Sequence, residues 1–279
     1  VTDVVDSAAV KRLADAALAT FGGIDVWINN AGSGVIGRFT DAKIELHRKT
    51  IDVNLIGTLN GAHAALGVFG AAQRGILINM ASAGGWTPLP LGVAYTAAKF
   101  GIRGLSAALR AEYIDRPEIR ICAVFPFLID TPGLLHAANV TGRAINPGPY
   151  LYSAEQVAST LVAVARRPRD EVGVGWMARA GQVASTIARA PTEALIGAAM
   201  LGAISRADPA PTTDGTLLTP IEVSDRTDGG WLRRKHVPAA ETVDRAILLG
   251  ALVITLVLLG RRQRRETDER DVPIRSGKF

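Results

Sequence analysis

The sequence predicts an α/β fold with a mostly parallel sheet, and two observations carry that prediction. Short apolar runs bounded by glycine or proline lie at Ile24 to Asn30, Ile76 to Met80, Ile119 to Phe125 and Glu171 to Trp176, and they read as buried strands. Between them lie longer stretches whose apolar residues recur at helical spacing. A hydrophobic content of 48% in 279 residues is ample for a packed core, with room for one or two domains.

In chain order, Val1 to Val4 reads as the end of a strand, and Asp6 can cap the helix that follows. Val10, Leu13, Ala17 and Leu18 form that helix's apolar side, and Gly22-Gly23 ends it. After the strand Ile24 to Asn30 comes a glycine-rich loop, Gly32 to Gly37. Ile44 to Val68 reads as one long helix, with Leu46, Ile51, Leu55, Leu59 and Ala62 at helical spacing. Asn54 sits in its middle, where a polar amide needs a reason. Gly75 opens the next strand, which runs to Ser82. The loop Ala83 to Ala94 carries Trp86, Pro88, Leu89, Pro90 and Leu91. A helix from Tyr95 continues through Phe100, Leu105 and Leu109 to about Tyr113, and Pro117 separates it from the strand Ile119 to Phe125. Ser153 caps a helix over Ala154 to Arg166. Two alanine-rich helical segments follow, Ala178 to Arg189 and Thr192 to Ser205. Proline, threonine and aspartate dominate Asp208 to Pro220, which reads as a linker.

Composition excludes several classes of function. The single cysteine, Cys122, allows no intrachain disulfide and suits a reducing compartment as a buried thiol. The four histidines show no ligand spacing, so no metal is expected. Twelve Lys/Arg and seven Asp/Glu lie from Arg226 to the end, and the first 225 residues carry nineteen of each sign. The net charge of +5 therefore belongs to the tail, and no basic stripe for nucleic acid is expected on the folded domain. The excess flanks an apolar run instead, which points to a membrane surface.

Chemistry concentrates in Asn79 to Gly104. Tyr95 and Lys99 stand four residues apart on one helix, so their side chains share a face. A nearby ammonium stabilises phenolate, which is expected to lower the tyrosine pKa from about 10. Such a phenol exchanges protons near neutral pH. The Ser82 hydroxyl, thirteen residues upstream of Tyr95, could hold a carbonyl or alcohol oxygen.

Four motifs, in order and at matching intervals, resemble the short-chain dehydrogenase/reductase family: Asn29-Asn30-Ala31-Gly32, Asn54 in DVNLIG, Ser82, and YTAAK from Tyr95 to Lys99. The resemblance covers about residues 1–176. It implies a Rossmann-like, doubly wound parallel sheet, here lacking its first strands, and hydride transfer between NAD or NADP and a carbonyl/alcohol pair. The implied catalytic residues are Asn54, which keeps a relay water, with Ser82, Tyr95 and Lys99. The implied cofactor contacts are Asp3, Val4, Asn30, Ala31, Gly32, Tyr95, Lys99, Pro126 and Thr131. Phe127 stands where the family's P-G-x-x-x-T segment has glycine, and residues 134–138 and 146–152 correspond to a substrate lid. The apolar loop after Ser82 borders the substrate in similar enzymes, which favours a bulky apolar small molecule. The family's phosphate turn, T-G-x-x-x-G-x-G, is not found; Gly32 to Gly37 spells G-x-G-x-x-G but lacks the βαβ context. In the implied strand order, 3-2-1-4-5-6-7, Ile24 to Asn30 becomes a sheet edge, and the expectation is a sequence truncated at its front. A non-catalytic, membrane-tethered scaffold that has lost its cofactor turn is the alternative.

Ala246 to Gly260 is apolar all round and carries no charge. Fifteen residues span roughly 22 Å as a helix, short of the ~30 Å hydrocarbon core. A start at Pro238 would lengthen it, and Arg261 to Arg265 forms a basic stop. Such a segment enters lipid, is buried in protein or forms a homo-oligomer. The expected organisation is a 1–176 catalytic domain, a 177–207 helical extension, a 208–237 linker, a 238–265 membrane-associated helix and a 266–279 charged tail. The arginines favour a cytoplasmic C-terminus and the chemistry a cytoplasmic catalytic domain. One span cannot satisfy both, which leaves monotopic insertion or a weak orientation signal from the arginines.

Overall fold

The computed structural model describes residues 1–148, 150–219 and 226–235, the side chains of residues 234 and 235 excepted. In chain order, α1 (Ser7–Phe21) leads to β1 (Val26–Asn29) and the short β2 (Val35–Ile36). Then come α2 (Ile44–Ile51), a π-helical turn (Asp52–Ile56), α3 (Gly57–Ala72) and β3 (Gly75–Met80). A 3₁₀ turn (Ala83–Gly85) precedes α4 (Val93–Glu112), β4 (Ile119–Pro126), β5 (Ile129–Asp130), α5 (Gly133–His136), β6 (Ala138–Asn139) and β7 (Tyr152–Ser153). The remainder is α6 (Ala154–Arg166), β8 (Glu171–Val174), α7 (Trp176–Ile187), α8 (Arg189–Ser205) and α9 (Trp231–Lys235).

The main sheet has the order β1-β3-β4-β8, with every pair parallel. Strand alternation splits its side chains between two faces. Leu77, Ile119 and Ile121 pack with Ala62, Ala65, Leu66 and Phe69 of α3 on one face. Ile78, Met80, Cys122, Val124, Val172 and Val174 pack with Val164 of α6 on the other. Buried on both sides, these strands read as continuous apolar runs, the signature of a parallel sheet covered by helices. The sheet is doubly wound as expected, and β1 stands at its edge.

Local chemistry fixes the element ends. The Asp6 carboxylate accepts from the amides of Ala8 and Ala9, and Gly22 at φ +76 closes α1. The Ser153 hydroxyl accepts from the Gln156 amide to start α6. Gly175, at φ +87, turns the chain from β8 into α7, and a Cβ there would run into the Tyr152 ring.

Several expectations are corrected. Val1 to Val4 is not a strand end: Asp3 Oδ1 accepts from the Val5 amide, and its carbonyl accepts from the Asp6 amide, so the chain turns there. Leu13 is exposed; Val10 and Ala14 are the residues of α1 that are buried. The strand expected to reach Trp176 stops at Val174, because Gly175 bends the backbone and Trp176 opens α7. The long helix 44–72 forms, but with a widened turn in which the Gly57 amide reaches back five residues to the Asp52 carbonyl. This run is long and apolar enough to cross a membrane by length and composition. Seven residues of α3 are buried in the protein, as suits a core helix. The stretch read as a linker docks instead: Thr213 bridges Asn139, Pro209 bridges Arg143, and Leu217 is buried with Val35, Leu46 and Ala138. The apolar run 246–260 lies outside the described residues.

Candidate active site

The site forms at the carboxyl ends of β1, β3 and β4, where an open parallel sheet presents its connecting loops. Helix α4 supplies Tyr95 and Lys99 from its first two turns. It starts at Val93, two residues earlier than expected, which leaves the i, i+4 pair intact. Lys99 Nζ lies 5.4 Å from the Tyr95 ring centroid and donates to the Met80 carbonyl at 2.8 Å. The ammonium is nearly enclosed, at 4% exposure. Burial lowers its pKa to about 8.

Ser82 follows the end of β3 and caps the 3₁₀ turn, its Oγ accepting from the Gly84 amide at 3.1 Å. The same hydroxyl stands beside the Tyr95 phenol. The phenol's pKa is raised, not lowered: burial dominates, and the polar influence of Ser82 offsets only part of it. This corrects the expectation of a phenol made acidic by its neighbour: burial of the phenol outweighs the cation one turn away.

The π-helical turn carries Asn54, which is fully buried. Its amide nitrogen donates to the carbonyls of Ser33 at 2.6 Å and Thr50 at 2.8 Å. Its Oδ1 has no partner among the described residues. A Cβ on Gly32 would lie 2.7 Å from that oxygen and 3.7 Å from Lys99 Nζ. Gly32 therefore packs directly on an unpaired acceptor, with a cation close by. A Cβ on Gly34 would press on the Tyr95 ring at 3.3 Å, and Gly37, at φ +151, faces Val140. Close packing thus accounts for these glycines: Gly32 and Gly34 against the site side chains Asn54 and Tyr95, Gly37 against Val140.

Asn54, Ser82, Tyr95 and Lys99 converge, together with the Gly32 backbone. Asn30, Ala31 and Gly32 are exposed at the end of β1. Pro126 is buried at the end of β4, and Thr131 stands just beyond β5, its amide donating to the Ile129 carbonyl. Val4 packs on Gly57, at the end of the turn that carries Asn54, and its carbonyl accepts from Asn60 Nδ2 on α3. Phe127 packs with the cluster of Trp86, Phe125 and Ala178 and meets Tyr152 edge-on, with ring centroids 6.5 Å apart. Trp86 is also claimed by the core. It stacks on Phe125 at 3.9 Å, donates to Glu171 at 3.1 Å and lies under Arg179. Pro88, Leu89, Pro90 and Leu91 of that loop keep partly exposed apolar surface, and Val93 beside them is exposed.

The sequence reading missed a buried polar relay behind the site. Asn29 accepts from Trp27 Nε1 and donates to Asn79 Oδ1; Asn79 donates to Ser106 Oγ, which donates to the Ile102 carbonyl. These bonds tie β1 and β3 to α4, and so fix the helix that carries Tyr95 and Lys99 against the sheet. An asparagine inside the apolar run Ile76 to Met80 was the available signal, because a buried amide must be paired.

The family model described as short chain dehydrogenase matches residues 1–139. The chain is 28% identical over 263 residues to the uncharacterized oxidoreductase YxnA of Bacillus subtilis, covering 91% of this chain and 73% of that protein. It is 31% identical over 204 residues to SadH of Mycobacterium tuberculosis, covering 70% and 74%. A match of 38% identity over 131 residues to 3beta-hydroxysteroid dehydrogenase 1 of Eggerthella lenta covers 47% of this chain and 50% of that protein. Among solved structures, a short chain dehydrogenase from Burkholderia cenocepacia in complex with NADP superposes with a TM-score of 0.59 at 25% identity, covering 70% of this chain and 78% of that one. Levodione reductase superposes with a TM-score of 0.56 at 26% identity, covering 62% and 74%.

Proposed function

The chain belongs to the short-chain dehydrogenase family, and on that premise we propose that it is an NAD(P)-dependent oxidoreductase interconverting a carbonyl and an alcohol. One observation carries the reading: the Ser82 hydroxyl, Tyr95 phenol, Lys99 ammonium and Asn54 amide meet at the carboxyl edge of the sheet, against the Gly32 backbone. Use of NADP is supported by the NADP complex of the Burkholderia cenocepacia protein. The unpartnered, buried Asn54 Oδ1 fits a polar group held at this edge. Asn30, Ala31, Gly32, Lys99, Pro126 and Thr131 would hold the nicotinamide end; Asp3 and Val4 are proposed contacts for its far end. When bound, the nicotinamide supplies or accepts the hydride.

The remaining work falls to the chain. Ser82 Oγ and the Tyr95 hydroxyl would share the substrate oxygen, fixing the carbonyl for attack. With its pKa raised by burial, the phenol is protonated at neutral pH. That is the form that donates a proton to the oxygen of a carbonyl under reduction. Lys99, largely cationic at pH 7 with a pKa of about 8, would stabilise the phenolate that remains. Asn54 Oδ1 would hold the water through which the phenol regains its proton. The partly exposed Pro88, Leu89, Pro90 and Leu91 support an apolar carbonyl compound as substrate. The scaffold alternative rested on the missing phosphate turn and Phe127; the convergence of four reactive side chains weighs against it.

Membrane association belongs to the same reading. Val183, Ile187, Leu195 and Leu201 expose apolar surface on α7 and α8, ahead of the apolar run 246–260. An alkaline carbonate wash of membranes tests it, and complete release into the wash would dismiss an anchor.

The deciding experiment titrates the purified chain with NADPH and NADH, then follows their oxidation against a panel of apolar ketones and small polar carbonyls. Saturable binding with turnover of the apolar members is the expected result. Absence of binding to both nucleotides, by this chain and by one extended upstream, refutes the enzyme reading, and turnover confined to polar carbonyls refutes the substrate class.

A further inference from the structure

Asp130 is a carboxylate at 3% exposure beside Thr131, and the proposed chemistry does not use it. Its partners come from about a hundred residues downstream. Oδ1 accepts from the Trp231 amide and Oδ2 from the Leu232 amide, both at 3.0 Å, which caps the start of α9. The chain approaching that cap is packed tightly. Gly229 and Gly230 are buried, and a Cβ on Gly229 would lie 2.7 Å from the Thr131 carbonyl oxygen. Asp228 accepts from both Arg226 and Arg233 at 2.8 Å, which braces the turn. A second attachment lies a few residues along the same loop. Thr216 donates its amide to the His136 carbonyl, Gly215 abuts the backbone of His136 to Ala138, and Leu217 is buried against Ala138. The loop from Ile129 to Asn139 is therefore strapped at both ends by chain beyond α8.

We propose that Asp130 is a positioning residue: its carboxylate latches residues 228–232 onto the Ile129–Asn139 loop and so holds Thr131 in place for the cofactor. The cofactor clause rests on the proposed function; the latch does not. Removing either side of the latch frees the loop, and binding must then order it again. A bidentate capping carboxylate is suited to this because each oxygen is committed to one donor. The loss of one donor leaves a buried oxygen unpaired.

The test uses the full chain, with hydrogen exchange read by mass spectrometry alongside NADPH titration. The variants are Asp130→Ala, Leu232→Pro and Leu232→Ala. Proline near the start of a helix deletes the amide donor at little other cost, and the alanine variant keeps that donor. Asp130→Ala and Leu232→Pro are expected to speed exchange at 129–136 and at 229–232 together, about tenfold or more, while β3 and α4 keep their protection. They are expected to weaken NADPH binding about fivefold or more. Leu232→Ala is expected to match the parent in both measurements. Exchange at 129–136 that stays slow while 229–232 opens overturns the latch. Unchanged NADPH affinity with both segments opened overturns the positioning role. If the parent binds no nucleotide, the exchange data alone decide the latch, and the proposed function falls if a chain extended upstream binds none either. If Asp130→Ala does not fold, the contrast between the two Leu232 variants decides it.

Discussion

Replacing Lys99 by methionine should remove activity and make the protein more stable. The lysine is almost wholly enclosed, and its pKa falls from 10.5 to about 8 because water is excluded from the ammonium. Holding it charged in the fold at neutral pH therefore costs about 3 kcal/mol, at 1.36 kcal/mol for each pH unit. Methionine fills similar volume without the charge. Its debit is the bond to the Met80 carbonyl, about 1 kcal/mol net, so Lys99→Met should gain about 2 kcal/mol at pH 7. The sign can be checked through pH. Between pH 8 and 10.5 the unfolded chain binds the lysine proton and the folded one does not, so wild-type stability rises with pH across that window. Below pH 8 the full penalty is present. Urea unfolding at pH 7 and pH 9.5 should show the advantage of Lys99→Met shrinking as pH rises. Above pH 10 the buried Tyr95 phenol, with its raised pKa, works in the opposite sense, so the comparison stays below it. A Lys99→Met protein that is less stable at pH 7, or an advantage that does not depend on pH, refutes the burial argument.

Tyr95→Phe should abolish turnover while leaving NADPH affinity within about threefold and the fold intact by circular dichroism, since the ring contacts of Gly34 and Gly84 survive. Gly32→Ala places a Cβ 2.7 Å from Asn54 Oδ1, so nucleotide titration should show affinity lost with little change in stability. Trp86→Ala removes an indole stacked on Phe125 and bonded to Glu171, and denaturant melts should show a loss of about 3–5 kcal/mol. Gly175→Ala combines φ +87 with a Cβ driven into the Tyr152 ring; a loss of more than about 2 kcal/mol is expected, and a neutral result would mean that the β8–α7 turn is misread.

The sheet was legible because parallel strands covered on both sides must be apolar throughout, and the four long runs stood out between glycines and prolines. The candidate site was legible because its side chains sit at fixed offsets on one helix and one strand end. Three things were not. The direction of the Tyr95 shift depends on how deeply the phenol is buried, and no spacing encodes that. The fate of Trp86 depends on Phe125, Glu171 and Arg179, which meet it only after the sheet is assembled. The stretch 208–217 looked like a linker because proline, threonine and aspartate disfavour regular structure. Yet Leu217 finds a hydrophobic cluster, and Thr213 pairs with Asn139, contacts made across long sequence separation.

The widened turn at Asp52–Ile56 has a consequence for tolerance to deletion. It holds one residue more than a regular coil, so the helix before it and the helix after it are out of phase by about 100°. Leu46 upstream and Phe69 downstream are both fully buried with that surplus residue in place. Loss of any single residue across this stretch would let the coil close regularly and swing one half away from its neighbours. Length there is as constrained as residue identity, and natural or engineered variants should change letters in this helix far more readily than they change its count.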